Sequence, residues 1–233
     1  MLDVETAPAL AYVWRLFKEN IGIDQIVAPS RIICWSAKWY KKKGTFFGAE
    51  WNDDNFLQGL HNLLSEADAV ITYNGGRFDM PKILGEFVRG GLPPVAPVPN
   101  IDLYKTVRGL GYDSGKLAYI APMFGVGTKV KSGGFELWKK VLEGDPKARK
   151  QMETYNRRDT TLLQGVYDKL KPYIKNHPHV GSGTRSECPT CGSTHVQRRG
   201  VRRTRLYFVE RLHCQGCGGW SDGKRAKVNK DGK

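Results

Sequence analysis

Asp3 and Glu5 stand at i and i+2, so on a strand their carboxylates project from one face while Val4 turns to the other. In Asn74-Gly-Gly-Arg-Phe-Asp79 an acidic residue follows a short apolar run through a glycine-containing turn that leads into a helix, a place where side chains reach the top of a sheet. In Tyr155-Asn-Arg-Arg-Asp159 a phenol and a carboxylate at i and i+4 share one helix face. Taken singly, these are a strand-edge pair, a helix cap and a helix-face pair. If strand, turn and helix converge, four carboxylates (Asp3, Glu5, Asp79, Asp159) meet, and such a cluster stays ionised only beside cations. With no Cys or His in these motifs, the cation that fits is a hard one, Mg²⁺ or Mn²⁺.

A second constellation is Cys188-Pro-Thr-Cys191 and Cys214-Gln-Gly-Cys217, two C-x-x-C knuckles each followed by glycine. That spacing predicts one tetrahedral, structural Zn²⁺ held by Cys188, Cys191, Cys214 and Cys217, with a β-hairpin between the knuckles: a zinc ribbon. His195 and His213 read as neighbours rather than ligands, because four thiolates already close the shell. A piece of about fifty residues builds little core of its own, so its folding would be coupled to the metal. Cys34 falls in an apolar strand pattern and reads as a core residue.

The chain of 233 residues carries 37 Lys+Arg against 23 Asp+Glu, a net charge of +14, which points to a polyanionic partner. Residues 184–233 hold 12 Lys+Arg and 4 Asp+Glu, net +8, against 25 and 19, net +6, in residues 1–183. Arg198, Arg199, Arg202, Arg203, Arg205 and Arg211 suit phosphate contact, and Arg77, Arg157 and Arg158 are candidates to guide phosphates near the carboxylates. Tyr207 and Trp220 read as ribbon core, with base stacking as the alternative role. No apolar run reaches membrane-spanning length and no signal-peptide pattern opens the chain, so the expectation is a cytoplasmic protein with no membrane association.

The elements that must position these residues follow from periodicity. Residues 31–40 and 45–51 read as a hairpin around Lys41-Lys42-Lys43-Gly44, and residues 69–73 as a buried strand. Phe56, Leu57, Leu60, Leu63 and Leu64 recur at helical spacing behind Asp53 and Asp54; Pro81 suits the first turn of a helix ended by Gly90-Gly91. Residues 101–103 read as a short strand or helix, 115–124 and 135–143 as helices, and Asp145-Pro146 opens a long helix to about Tyr173. The class is α/β with a mixed sheet. The expected division is a catalytic domain over 1–178, a linker over 179–186, the ribbon over 187–222 and a disordered basic tail over 223–233.

Asp3-x-Glu5, Asn74-x-x-x-Phe78-Asp79 and Tyr155-x-x-x-Asp159 resemble the three exonuclease motifs of the DnaQ-like 3′–5′ exonucleases of the ribonuclease-H-like superfamily, in the tyrosine-bearing DEDDy branch. The resemblance spans about residues 1–175 and is closest to phage-encoded members, with phrases such as Glu5-Thr-Ala-Pro8 and Gly134-Phe-Glu-Leu-Trp138. It implies a mixed five-stranded sheet flanked by helices, two divalent ions held by Asp3, Glu5, Asp79 and Asp159, and Tyr155 helping to position the attacking water. It further implies hydrolysis of DNA, possibly RNA, from single-stranded or frayed 3′ ends, with any proofreading in trans beside a replication or recombination complex. The rival readings are a structure-selective endonuclease or RNA-trimming nuclease on the same fold, and a zinc-ribbon DNA-binding protein with a vestigial nuclease site. Asp102 reads as structural.

Overall fold

The computed structural model describes residues 1–184 and 187–228. By its contacts the chain divides into two compact units, Met1–Val166 and Tyr167–Lys233.

In the first unit, β1 (Leu2–Ala7) pairs antiparallel with β4 (Arg31–Ala37), and β4 with β5 (Phe46–Ala49), in the order β1-β4-β5. The β4–β5 hairpin turns where the lysine run places it, with Lys41 and Gly44 in the left-handed region. These strands build a core on each face, with the alternation of β4 broken at Ile33 and Cys34 opposite the irregularity between Glu5 and Thr6. Leu2, Val4, Ile32 and Trp35 pack with Leu60 and Leu64 of α1 (Phe56–Glu66) and with Ile83 and Phe87 of α2 (Asp79–Arg89). Ala7, Ile33 and Cys34 pack with Leu137 and Val141 of α5 (Phe135–Leu142) and Met152 of α6 (Pro146–Leu170). Cys34 is fully buried, as its apolar pattern requires.

Two further strands, β6 (Val70–Thr72) and β7 (Asn100–Asp102), pair in parallel as a separate sheet, with α3 (Leu103–Arg108) and α4 (Leu117–Met123) following. The expected continuous five-stranded sheet is therefore corrected to sheets of three and two strands. β6 lies beside β1, but the Val4 N–H donates to Asp79 Oδ1 at 3.1 Å instead of joining a ladder. Between β1 and β4 the chain forms a two-stranded arm, β2 (Leu10–Ala11) against β3 (Ile26–Ala28), which no periodicity had marked.

The second unit carries a three-stranded antiparallel sheet, β8 (Val196–Arg203), β9 (Tyr207–Cys214) and β10 (Trp220–Lys227), in the order β10-β9-β8. Residues 223–227, expected in a disordered tail, instead complete β10, because Arg225, Ala226 and Lys227 pair with Val209, Phe208 and Tyr207. The remainder of that tail beyond Val228 lies outside the described residues. Among the described residues no helix is long and apolar enough to cross a membrane.

Candidate active site

The strand period places Asp3 and Glu5 on the α6 face of β1, opposite the buried Leu2 and Val4. Helix α6 is docked there by polar contacts to the hairpin: Thr160 Oγ1 donates to the Ser36 carbonyl at 3.1 Å, and Arg157 donates to Thr45 Oγ1 at 2.7 Å while stacking over Phe47. This turns the Tyr155–Asp159 face toward the strand. Asn156, fully buried, donates through Nδ2 to Asp3 Oδ2 at 2.7 Å and to the Asp3 carbonyl at 3.3 Å. Carboxylate oxygens of Asp3, Glu5 and Asp159 thereby lie within 4.8 Å of one another.

Asp79, at the start of α2, lies outside that 4.8 Å group, although its charge is felt by both Asp3 and Glu5; the turn before it is tightly specified. Asn74 sits at φ +66°, and its N–H is held by Asp102 Oδ1 at 2.8 Å, while Asp102 Oδ2 accepts from Gly76 N–H at 3.3 Å. A Cβ at Gly75 would stand 2.4 Å from the Thr72 side chain, so only glycine fits there. Asp102 also caps α3 through Tyr104 N–H at 3.1 Å, which gives it the structural role read from the sequence.

Sequence reasoning missed Lys129. Its Nζ lies 2.6 Å from Asp159 Oδ2 and donates to the Tyr155 hydroxyl at 3.1 Å. The loop that carries it is bounded by left-handed glycines, Gly125 and Gly127 before and Gly133 and Gly134 after, and carries no periodicity; that glycine spacing was the one available signal. Arg158, a phosphate-guiding candidate, donates through Nε to the Thr128 carbonyl at 3.0 Å and so braces this loop. Arg157 is engaged by Glu153 and Thr45, whereas Arg77 is exposed in the turn before Asp79.

The electrostatics are those of crowded carboxyls, Asp159 and Asp79 buried and Asp3 and Glu5 partly so. Burial, then the charges of Glu5, Asp79 and Asp159, push Asp3 well above the usual carboxylate range. Burial and Asp159 push Glu5 up to about 8, and burial raises Asp79 to about 6 despite the Val4 N–H. Burial also raises Asp159, with Lys129 opposing it. The Tyr155 phenol is pushed up to about 12 by burial and by Asp159. Burial works against the Lys129 ammonium, but the Asp159 contact outweighs it and strengthens its hold on the proton. Asp159 Oδ1 is buried with no hydrogen-bond partner among the described residues. An orphaned carboxylate oxygen beside two more carboxylates is a donor set for a hard divalent cation.

Comparison with protein families adds a second line of evidence: the RNase_H_2 model of the RNase H superfamily matches residues 32–171, from β4 through α6. The chain belongs to the RNase H superfamily. Membership supports an RNase H-like nuclease fold, in a superfamily whose nucleases use divalent metals. The matched span includes Asp79, Lys129, Tyr155 and Asp159; Asp3 and Glu5 precede it and the four clustered cysteines follow it. No curated protein matches the chain.

This RNase H-superfamily chain has a second candidate metal centre in its C-terminal unit. Cys188, Cys191, Cys214 and Cys217 place their sulfurs within 4.8 Å of one another, with Cys188–Cys217 at 3.7 Å and Cys191–Cys214 at 3.6 Å. A tetrahedron of thiolates at a Zn–S distance of about 2.3 Å has edges of about 3.8 Å, so the sulfurs could hold Zn²⁺ with little movement. The two knuckles repeat each other: Gly192 N–H donates to the Cys188 carbonyl and Gly218 N–H to the Cys214 carbonyl, each at 2.9 Å with the glycine left-handed. His195 and His213 stay outside the cluster.

Around that centre the ribbon has little core. Val209 is buried, but Leu206 and Phe208 are exposed. Trp220, expected in the core, is 51% exposed, because its ring lies on the sheet surface between His213, stacked at 4.6 Å, and the Arg211 guanidinium at 4.6 Å; Tyr207 is half-buried. Arg198 and Arg202 form ion pairs with Glu210 and Asp222, Arg203 lies over Phe208, Arg199 bonds Gln197, and Arg205 is exposed.

Proposed function

We propose that the chain is a metal-dependent 3′–5′ exonuclease acting on DNA. The observation that carries this reading is the meeting of Asp3, Glu5 and Asp159, from a strand and a helix far apart in sequence, with carboxylate oxygens within 4.8 Å of one another beside Tyr155 and with the charge of Asp79 felt by Asp3 and Glu5. Asp3, Glu5 and Asp159 would hold the cation pair, with Asp79 completing the set. A divalent pair held there would supply an activated water and counter-charge for the leaving 3′ oxygen.

The chain's own residues do the rest. A phenol raised to about 12 stays protonated at neutral pH, so Tyr155 orients the water through its O–H and does not act as the base. Lys129 supplies a fixed positive charge beside Asp159 and Tyr155, suited to a non-bridging phosphate oxygen. Exposed Arg77 guides the incoming strand, and the ribbon, folded around Zn²⁺, adds phosphate contacts through its arginines. Action on DNA and from the 3′ end rests on the motif resemblance.

Digestion of 5′-labelled single-stranded DNA with Mg²⁺ or Mn²⁺ tests the reading, with Asp79→Asn and a chelated sample as controls. A ladder shortening from the 3′ end that disappears in both controls is the expected result. Metal-dependent cuts within a strand whose 3′ end is blocked would make it an endonuclease, and binding without cleavage would make the carboxylate site silent.

A further inference from the structure

The arm between β1 and β4 leaves its apolar side chains uncovered. Its polar groups bond to its own backbone: Gln25 Nε2 donates to the Tyr12 carbonyl at 2.8 Å, Gln25 Oε1 accepts from Gly22 N–H at 2.7 Å, and Glu19 accepts from Trp14 and Arg15 N–H at 3.2 and 2.8 Å. Tyr12 N–H meets the Gln25 carbonyl at 3.0 Å, closing the hairpin. The apolar side chains turn outward. Trp14 is 93% and Ile23 90% exposed, and Tyr12, Leu16, Phe17 and Val27 are mostly exposed as well.

The size of this surface decides what it is for. The three rings alone offer roughly 400–600 Å², already the size of the largest apolar patch on an ordinary monomer, about 300–600 Å². With the aliphatic side chains the arm offers about 1,000 Å², against about 800 Å² per partner in a stable complex.

Charge selects the occupant. Residues 9–28 contain two cations, Arg15 and Lys18, and two anions, Glu19 and Asp24, so the arm is neutral and the whole +14 resides elsewhere in the chain. A nucleic acid would call for surplus cations, and most of the outward side chains are aliphatic and cannot stack on bases. Two copies of a chain this basic repel each other over most of their surface, and the neutral apolar arm is where they can meet at least electrostatic cost. Interfaces between identical subunits are also the more apolar kind.

We propose that the arm is a self-association surface through which two copies of this chain form a two-fold dimer, arm against arm, independent of the chemistry at the carboxylates. The test is the mass of the intact chain by light scattering and sedimentation velocity over a hundredfold range of concentration, in about 0.5 M salt to screen the charge. The expected result is twice the 26.2 kDa chain mass. Trp14→Ser with Phe17→Ser should weaken the dimer at least a hundredfold with circular dichroism unchanged, and Ile23→Asp, on another segment of the arm, should do the same. A chain of 26.2 kDa at every concentration overturns the proposal, as does a dimer that survives both variants. A monomer whose affinity for oligothymidylate falls in the variants would reassign the arm to nucleic acid and overturn it equally.

Discussion

Lys129 Nζ stands 2.6 Å from Asp159 Oδ2, a cation carried into an acidic cluster by a loop some thirty residues upstream of its partner. Without metal this ammonium is the main positive charge facing Asp3, Glu5 and Asp159. Lys129→Met should therefore destabilise the metal-free chain by about 1–2 kcal/mol, the buried-pair penalty reduced for a partly exposed lysine. Saturating Mn²⁺ should close most of that gap, since it restores positive charge at the same oxygens. Denaturant unfolding of both proteins, with and without Mn²⁺, checks this; an equal loss in both conditions would show that Lys129 acts by packing alone.

The raised carboxyls set a pH dependence with a definite sign. Asp3, Glu5 and Asp79 hold protons in the folded metal-free chain at pH values where the unfolded chain has released them. Their contribution is therefore present at low pH and lost as pH rises from about 4 to about 8, the folded value for Glu5. Metal binding must expel those protons, so divalent affinity should climb over the same window. Thermal midpoints at both ends of the window, in chelator and in Mn²⁺, should show metal stabilisation growing with pH; a constant difference would contradict the assignment.

Asp102 holds the turn that delivers Asp79, through Asn74, Gly76 and Tyr104 N–H groups. Asp102→Ala leaves three donors without this acceptor and should cost about 2–3 kcal/mol. It should also weaken Mn²⁺ binding tenfold or more by misplacing Asp79. Asp102→Asn keeps one acceptor oxygen for Asn74 and Tyr104 and should recover most of both losses. Calorimetric titration with Mn²⁺ alongside thermal unfolding separates the two effects.

The ribbon should depend on its metal. Elemental analysis should find one zinc per chain, and Cys214→Ser should abolish it together with the dispersed amide signals of β8, β9 and β10, because Val209 is nearly the whole apolar core of that sheet. Persistence of those signals without zinc would show a sheet that folds on packing alone.

Phosphate contact by the ribbon predicts a graded response. Arg202 is already paired with Asp222 at 2.8 Å, so a phosphate must compete for it. Arg202→Ala with Arg203→Ala should lower the slope of log affinity against log salt by less than about 2, and Arg199→Ala with Arg205→Ala by about 2. Unchanged slopes in both would remove the ribbon from the DNA contact.

What could be read from the chain beforehand was whatever a short-range rule governs. The i, i+2 pair on β1, the i, i+4 pair on α6 and the two knuckles each obey a local period, and the structure brings their side chains together. Lys129 obeys no period; its place depends on where a glycine-bounded loop lands against α6. Where β6 runs beside β1, the Val4 N–H goes to Asp79, 75 residues along the chain, a contact beyond any local pattern. The arm escaped any such rule: no period marks it, and Tyr12, Trp14 and Leu16, apolar side chains of the kind a core takes, all face water.

The bond from Val4 N–H to Asp79 Oδ1 gives the molecule a resident spectroscopic probe. A backbone amide proton shared with a carboxylate resonates further downfield when that carboxylate carries charge. The Val4 amide shift, followed through a pH titration, therefore records the ionisation of Asp79 from a neighbouring strand, with no label, substrate or substitution in the site.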